Sequence, residues 1–520
     1  DTFYKTLAPV TQDRSETVVL SGSGANVRYF DFTGTLFGCN NVVLPNQSFQ
    51  ILLTSGTSGG YALGVSDAQG RFSIGTILCS GTSSAQAQTV AYYNNAYRYS
   101  VQSSVAAGPN AYNPQVCDTL SGGGQGYQDN DVVLFPDPNL ELAVRNAINK
   151  PSGTIFYLDV KNLQALIASG LTIYRLDGLE YCTGLTQLDL SYNDFGSSGY
   201  GFAQLQNLTL LTKLNLNGNG INNITPLQNL INLTELQLYD NSLAVVTALQ
   251  NKPNLRILNL NKNSIENFTP LQNLASLTWL GLSDNWHTSP WAGNIDFTEI
   301  PKLFNLTNLQ YLDFSHNNSS FIPDAVQRFT NLKEVNLGYN LIQTLTFLQG
   351  LTVLTNLNLE KQTVAVVGLS DIRPLQTMTS LTSLDISNNP VTDISPLQGL
   401  TNLKRLDINN TAPASFSSLQ SLISLTFLNM RQTSATTITA LQNLTNIDTL
   451  DISFNFITDI TPLQNFNVLK SAWLIANNLT TISPVINSLP AIKTFFITSG
   501  NSIPPAEKTA FQASHPACTV

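Results

Sequence analysis

From residue 185 onward the chain repeats one alternation of apolar and polar positions. The phrase reads LTQLDLSYN from Leu185, LTKLNLNGN from Leu211, LTELQLYDN from Leu233, LRILNLNKN from Leu255 and LTWLGLSDN from Leu277. It restarts at Leu309, Leu332, Leu354, Leu381, Leu403, Leu425, Ile447, Leu469 and Ile492. The commonest step is 22 residues, and the largest, from Leu277 to Leu309, is 32. Leu163 lies one period before Leu185, so an imperfect first coil is expected there. In L-x-L the two leucines point to one side of a strand and the residues around them to the other. One coil cannot bury its own leucines, whereas stacked coils can. The pattern therefore predicts a solenoid with a parallel sheet along one side.

A second pattern closes each strand. Asparagine recurs at 193, 219, 241, 263, 285, 317, 340, 389, 455 and 477, where its amide can bond backbone groups left unpaired at the turn. Gln362, Thr411, Thr433 and Gly500 stand at this place in other coils, where weaker local order is expected. The return half carries NITPLQNL (223–230), NFTPLQNL (267–274), DISPLQGL (393–400) and DITPLQNF (459–466). Proline in this phrase excludes a long α-helix and predicts short 3₁₀ or extended segments on the convex side. A 22-residue period with L-x-x-L-x-L-x-x-N is a leucine-rich repeat.

With its D-I-x-P-L phrase, the stretch 163–503 resembles the internalin-type leucine-rich repeats of bacterial surface proteins. The segment in front, FPDPNLELAVRNAINKPSG (135–153), reads as a capped helix. Asp137 can cap it, Pro138 suits the first turn and Pro151 follows its end. Leu140, Val144 and Ile148 form an apolar stripe, and Glu141 can pair with Arg145. The resemblance implies a helical cap over the first coil and a concave recognition face. The chain departs from surface internalins in having a β-rich region ahead of the repeats, so host-cell invasion is not implied.

The resulting organisation is a β-rich domain at 1–107, a linker at 108–131, a helical cap with the imperfect first coil at 132–180, the solenoid at 181–503 and a C-terminal cap at 504–520. In the first of these, ETVVLSGSG (16–24), NVRYFDFTGTLF, SFQILLTS, RFSIGTIL and TVAYYNNAYRYSVQSS read as strands between Gly, Ser and Asn turns. A small antiparallel sandwich or barrel is expected, preceded by an extended leading segment. Residues 108–131 are a linker by composition.

Charge and composition narrow the function. Charged residues make up 11% of 520 and the net charge is −9, with no basic cluster, which disfavours nucleic acid and anionic membranes. No run of about 18 apolar residues is present, so no transmembrane helix is expected. Three histidines leave little for acid–base or metal chemistry, and no cofactor is expected. The chain starts at Asp1 without a leader, its polar residues are mainly Asn, Thr, Ser and Gln, and export to the cell surface or beyond is expected. Of five cysteines, Cys39 and Cys79 share the β-rich region and form the preferred disulfide. Cys182 reads as a buried thiol. Cys117 and Cys518 remain unassigned, with bridges between chains one option.

Candidate binding residues are the aromatics that project from the concave face. They are Tyr192, Tyr239, Trp279, Tyr311, Tyr339, Phe427, Phe454, Trp473 and Phe496. Trp279 and Tyr311 occupy equivalent places in consecutive coils, about 4.8 Å apart, and should stack or flank one groove. The long step adds the loop DNWHTSPWAGNIDFTEI (284–300), with Trp286, His287 and Trp291. Metal sites were weighed at Asp284, His316 and His287, where a structural hydrogen bond is preferred, and at Asp385 with Asp407, which Lys404 and Arg405 should neutralise. Asp129, Asp131 and Asp137 form a third, weak candidate. The leading expectation is an exported, non-enzymatic adhesion or binding protein with a protein or glycan ligand on the concave face. The alternative is a self-assembling filament or array subunit joined through residues 1–24 and the β-domain.

Overall fold

The structure is a computed structural model. It describes residues 127–520 apart from 197–201, 286–298, 321, 323, 363–367, 498 and 520, and within residues 1–126 the backbone of eight strands. Cys39, Cys79, Cys117, Trp286, His287, Trp291 and the whole of residues 1–24 lie outside the described residues. Chain contacts divide the molecule into two units: 1–134 with 154–159 and 177–181, and the remainder.

The first unit holds β1 (Arg28–Thr35), β2 (Ser48–Ser55), β3 (Ser58–Val65), β4 (Arg71–Leu78), β5 (Ser84–Tyr93), β6 (Ala96–Tyr99), β7 (Ser103–Ala106) and β8 (Gly108–Ala111). One sheet runs β4-β1-β8 and the other β3-β2-β5-β6, with β7 also on β5. Most pairings are antiparallel, as expected, but β1 and β8 pair in parallel, Phe30 opposite Gly108. Residues 108–111, read as linker from their composition, are thus a strand. Composition carries no information on a pairing partner some 75 residues away.

The second unit is the solenoid. Its helix α1 (Pro138–Ala147) starts as the sequence indicates. Asp137 Oδ1 accepts the N–H groups of Asn139 and Leu140, and Glu141 lies 2.7 Å from Arg145. Asp137 Oδ2 accepts the Tyr174 N–H at 2.9 Å, so the buried carboxylate also ties the helix to the chain beyond the first strand. Its two oxygens are thereby committed to backbone rather than to a cation. Leu140, Ala143 and Val144 are the buried face; Ile148 falls on the C-cap and is half-buried. A single turn, α2, spans Tyr157–Val160.

Fifteen three-residue strands then lie side by side in chain order, from β9 (Ala165–Ile167) to β23 (Thr494–Phe496), all parallel. The registers place Leu188, Leu214, Leu236, Leu258, Leu280 and Leu312 in one row. The coil that begins at Leu211 buries Leu211, Leu214, Leu216, Ile221, Ile224, Leu227 and Leu230 to 2% exposure or less. At roughly 1.5–3 kcal/mol for each fully buried aliphatic side chain, this apolar spine drives the stacking. The T-P-L phrases form 3₁₀ turns, as at Thr225–Leu227, Thr269–Leu271 and Thr461–Leu463.

The asparagine row works between coils as well as within them. Asn219 Nδ2 donates to Leu216 O of its own coil and to Leu190 O of the preceding one, while its Oδ1 accepts the Asn193 N–H. Gln362 does not weaken the row: it is fully buried, donates to Leu337 O and accepts from the Ile342 N–H. Its extra methylene shifts the own-coil bond, which goes to Glu360 O rather than to the carbonyl three residues back that the asparagines use. Thr411 and Thr433 are shorter: each hydroxyl reaches a carbonyl of its own coil, Ile408 or Met430, and that of Thr433 also lies within hydrogen-bond distance of Asn455 Oδ1 in the next coil. In the last coil the row is filled by Asn501, not Gly500; its amide donates to Leu474 O and Ile497 O. A second asparagine row, not foreseen, sits just before the repeat leucine. Asn232, Asn308, Asn331, Asn402 and Asn446 each donate to a carbonyl of the preceding coil.

Residues 504–519 cover the last coil. Helix α3 (Pro505–Ser514) stacks Phe511 on Phe495 at 4.6 Å, and the Thr519 carbonyl accepts the Phe495 N–H. Glu507 accepts from the Ile482 N–H and from Thr481 Oγ1. Cys518 is buried under this cap, so a bridge from it to another chain requires the cap to open. Cys182 is buried in the solenoid core. Among the described residues no helix is long and apolar enough to cross a membrane.

Candidate functional site

Each strand buries its middle residue and leaves its first, and in all but two strands its third, at least partly exposed; Gly281 and Asp407 are the buried third residues, and the turn beyond adds a further row. The third-residue row is mainly Asp and Asn. In Asp189, Asn215, Asn259, Asp313, Asn336, Asn358, Asp385, Asp407, Asn429 and Asp451 the side-chain oxygen accepts the N–H two residues on, at 2.8–3.2 Å. These are Asx turns that bend the chain out of the strand.

That geometry decides the stacked carboxylates. Asp385 and Asp407 face each other across adjacent strands, and each serves its own turn. Among the described residues no cluster of three or more His, Cys, Asp or Glu is placed to hold a metal. Arg405 favours the charged form of both acids, but only as the smallest of the influences on them. Burial is the main influence on both acids; it holds Asp385 above the usual range and, with help from Asp385, pushes Asp407 up to about 6. A buried acid with a raised pKa binds more protons folded than unfolded, so stability falls as pH rises from about 4 through about 6. Asp407→Asn keeps the Asx acceptor and matches the residue found in five other coils. We predict that it stabilises the protein at pH 7 by about 1–3 kcal/mol and flattens the pH dependence of the denaturation midpoint between pH 4 and 7. Unchanged midpoints at pH 7 would show that Asp407 is charged at no cost.

The residue before the ladder asparagine takes left-handed backbone in coil after coil: Tyr192 (φ 54°), Lys262 (53°), His316 (56°), Tyr339 (57°) and Phe454 (58°). This conformation costs a non-glycine residue about 1–2 kcal/mol, which the inter-coil amide bonds offset. Gly218 holds the same place next to Tyr192. A Cβ there would lie 2.6 Å from Cδ1 of the Tyr192 ring, so the ring's position requires glycine. His316 was expected to bond Asp284. Instead its ring stacks on Tyr339 at 4.2 Å, because the register places that ring in the next coil; no hydrogen bond or ion pair joins it to Asp284. Lys361 Nζ lies over the Tyr339 ring, 5.1 Å from its centre, and the Tyr339 hydroxyl donates to Glu360.

The aromatics named from the sequence therefore fall into separate groups. Trp279 and Tyr311 head adjacent strands in register, and their rings stack at 4.8 Å and 4°. Both are half-buried. Burial, with Asp313 and Glu334 nearby, pushes the Tyr311 phenol up to about 12, which keeps it a neutral donor. Tyr192, at 57% exposure, and Tyr239, under Lys262 at 5.2 Å, stand closer to the N-terminal end. Phe427 lies under the Arg405 guanidinium at 3.6 Å and Phe454 under that of Arg431 at 4.0 Å. Trp473 and Phe496 are tilted neighbours at 6.3 Å in the third-residue row. Phe456, 55% exposed, escaped the sequence reading because it follows the repeat phrase.

Comparison with known proteins agrees with this architecture. The family model for leucine-rich repeats in two copies matches residues 379–421, and that for a single leucine-rich repeat matches residues 308–329. No curated protein matches the chain. Among solved structures, an internalin from Listeria monocytogenes is similar at 28% identity and a TM-score of 0.50, over 74% of this chain and 94% of that one. A leucine-rich repeat protein of Leptospira interrogans is similar at 22% identity and a TM-score of 0.57, over 74% of this chain and 99% of that one. The mouse RP105/MD-1 complex is similar at 22% identity and a TM-score of 0.51, over 67% of this chain and 61% of that one.

Proposed function

We propose that this internalin-like leucine-rich repeat chain is an exported, non-enzymatic binding protein that holds a protein ligand on the solvent side of its parallel sheet, anchored at Trp279 and Tyr311. The stacked pair carries the reading. It is a rigid, partly desolvated aromatic element on a preformed surface, and such anchors supply a large share of interface energy while costing little ordering entropy. The stack also favours protein over glycan. A sugar packs its C–H groups onto an open ring face, whereas these two rings spend their facing sides on each other. What they offer a ligand is edges, an indole N–H and a neutral phenol, set beside Ile257 and Glu334 in the same row.

The alternative of a filament or array subunit joined through residues 1–24 and the β-domain has no observation in its favour, since residues 1–24 lie outside the described residues. The test is a selection of displayed protein ligands against the full chain, followed by the Trp279→Ala, Tyr311→Ala double variant. Loss of capture by a factor of about 100 or more is expected, with an unchanged melting temperature. Undiminished capture would remove these two residues from the site. Capture of glycans on an array, lost in the same variant, would replace the protein ligand by a sugar.

A further inference from the structure

Four strands beyond the Trp279–Tyr311 pair, the same face carries a different kind of surface. Arg405 heads one strand and Phe427 the next, in register, with the guanidinium 3.6 Å from the ring centre. Four residues after Phe427, Arg431 lies 4.0 Å from the ring centre of Phe454 in the following coil. Phe454 and Phe456 are 45% and 55% exposed. The four side chains make a diagonal strip across three coils.

Both guanidinium groups are oriented but unused. Among the described residues neither donates a hydrogen bond or joins an ion pair, whereas Arg145 and Arg373 fork onto Glu141 and Asp371. The nearby carboxylates of Asp385, Asp407 and Asp451 are occupied by their own turns. An arginine laid flat on an aromatic ring keeps its planar edge of donors pointed outward with little freedom left to lose, which suits bidentate recognition of a carboxylate. One coil of about 4.8 Å and at most four residues of about 3.3 Å separate the two sites, so with the chain turning after Asn429 they lie within roughly 14 Å of each other. An extended peptide spans nearly that distance between residues i and i+4, and those two side chains share one face.

We infer that Arg405 and Arg431, shelved on Phe427 and Phe454, receive two carboxylates four residues apart in an extended acidic segment of the protein partner. The exposed Phe454 and Phe456 rings take an apolar side chain of the same segment. This rests on the reading that the sheet face binds protein, and it adds a second contact region distinct from Trp279 and Tyr311.

The probe is the end-blocked peptide Gly-Glu-Thr-Leu-Thr-Glu-Gly, which puts both Glu and the Leu on one face of an extended chain, with both Glu replaced by Gln as control, titrated into the full chain by NMR or calorimetry. The Glu peptide is expected to bind at least about tenfold more tightly than the Gln peptide, with the difference reduced in high salt. Arg405→Gln with Arg431→Gln should abolish the difference, and Arg405→Lys with Arg431→Lys should recover only part of it, because lysine lacks the fork. Equal binding of the two peptides, or an undiminished difference in the Gln variant, overturns the inference. So does a chain that binds a sulfated oligosaccharide through these arginines and ignores the peptide. The Trp279→Ala, Tyr311→Ala variant should bind the Glu peptide as the parent does. A negative result here therefore leaves the Trp279–Tyr311 anchor standing, and loss of that anchor leaves this site standing.

Discussion

Asn219→Leu is expected to destabilise the solenoid by about 3–5 kcal/mol, although the two side chains are close in size. Asn219 is 1% exposed and makes four side-chain bonds. Its Nδ2 donates to Leu190 O, Leu216 O and Asn217 O, and its Oδ1 accepts the Asn193 N–H. The carbonyls are partly insured. Leu190 O also accepts from Asn193, and Leu216 O from Asn241. The Asn193 N–H has no such second partner, and leaving a buried donor unpaired costs about 1–3 kcal/mol on top of the lost bonds. Because each row member serves two coils, the damage should spread to both neighbours. Hydrogen exchange is the suitable readout, since a long repeat array need not unfold in one step. Faster exchange is expected at Asn193 and in the strands Gln187–Asp189 and Lys213–Asn215, with β23 unaffected. Exposed Asn222→Leu is the control and should change stability by less than about 1 kcal/mol. Equal effects of the two substitutions would show that the row adds nothing beyond leucine burial.

Lys252→Leu is expected to act in the opposite direction. Residues 208, 230 and 274 are leucines at the same place in the return half, each fully buried. Lys252 is 1% exposed, and its Nζ donates to Leu227 O and Gln228 O at the end of the preceding 3₁₀ turn. Burial lowers its pKa from the ordinary value to about 8. A base with a lowered folded pKa holds fewer protons folded than unfolded between about 8 and 10.5, so it penalises the folded state below that window and ceases to as pH rises through it. Two hydrogen bonds recover part of the penalty. Leucine should therefore raise stability by about 1–3 kcal/mol at pH 7, and the gap should narrow by pH 10. Denaturation midpoints of both proteins at the two pH values decide it. A less stable leucine variant would mean that the two carbonyl bonds outweigh the burial of charge.

Lys252 interrupts a column of leucines in the return halves, a departure written in the sequence but outside the phrases that define the repeat. Its bonding is not written there, because the acceptors belong to a neighbouring coil. The aspartates at 385 and 407 show the same division. Their stacking followed from the period, but their role as Asx acceptors depends on backbone torsions beyond the strand, and burial rather than Arg405 governs their charge. The His316–Tyr339 stack and the two arginines on phenylalanines arise between coils whose register the leucines set but whose side chains the repeat leaves free.

The sequence by itself determined what a period can carry: the parallel ladder, its leucine spine, the asparagine row, the short 3₁₀ returns and the capping role of Asp137. These follow from local geometry and from the need of each coil to bury the same face against an identical neighbour. Tertiary structure alone decided which projecting residues meet. It placed Trp279 against Tyr311 as a closed stack, moved the last ladder amide from position 500 to Asn501, and paired β1 with β8. Contacts of this kind depend on the distance and rotation between chain segments, and on left-handed turns that aim side chains such as Tyr339 and Phe454, none of which a linear pattern of apolar and polar residues records.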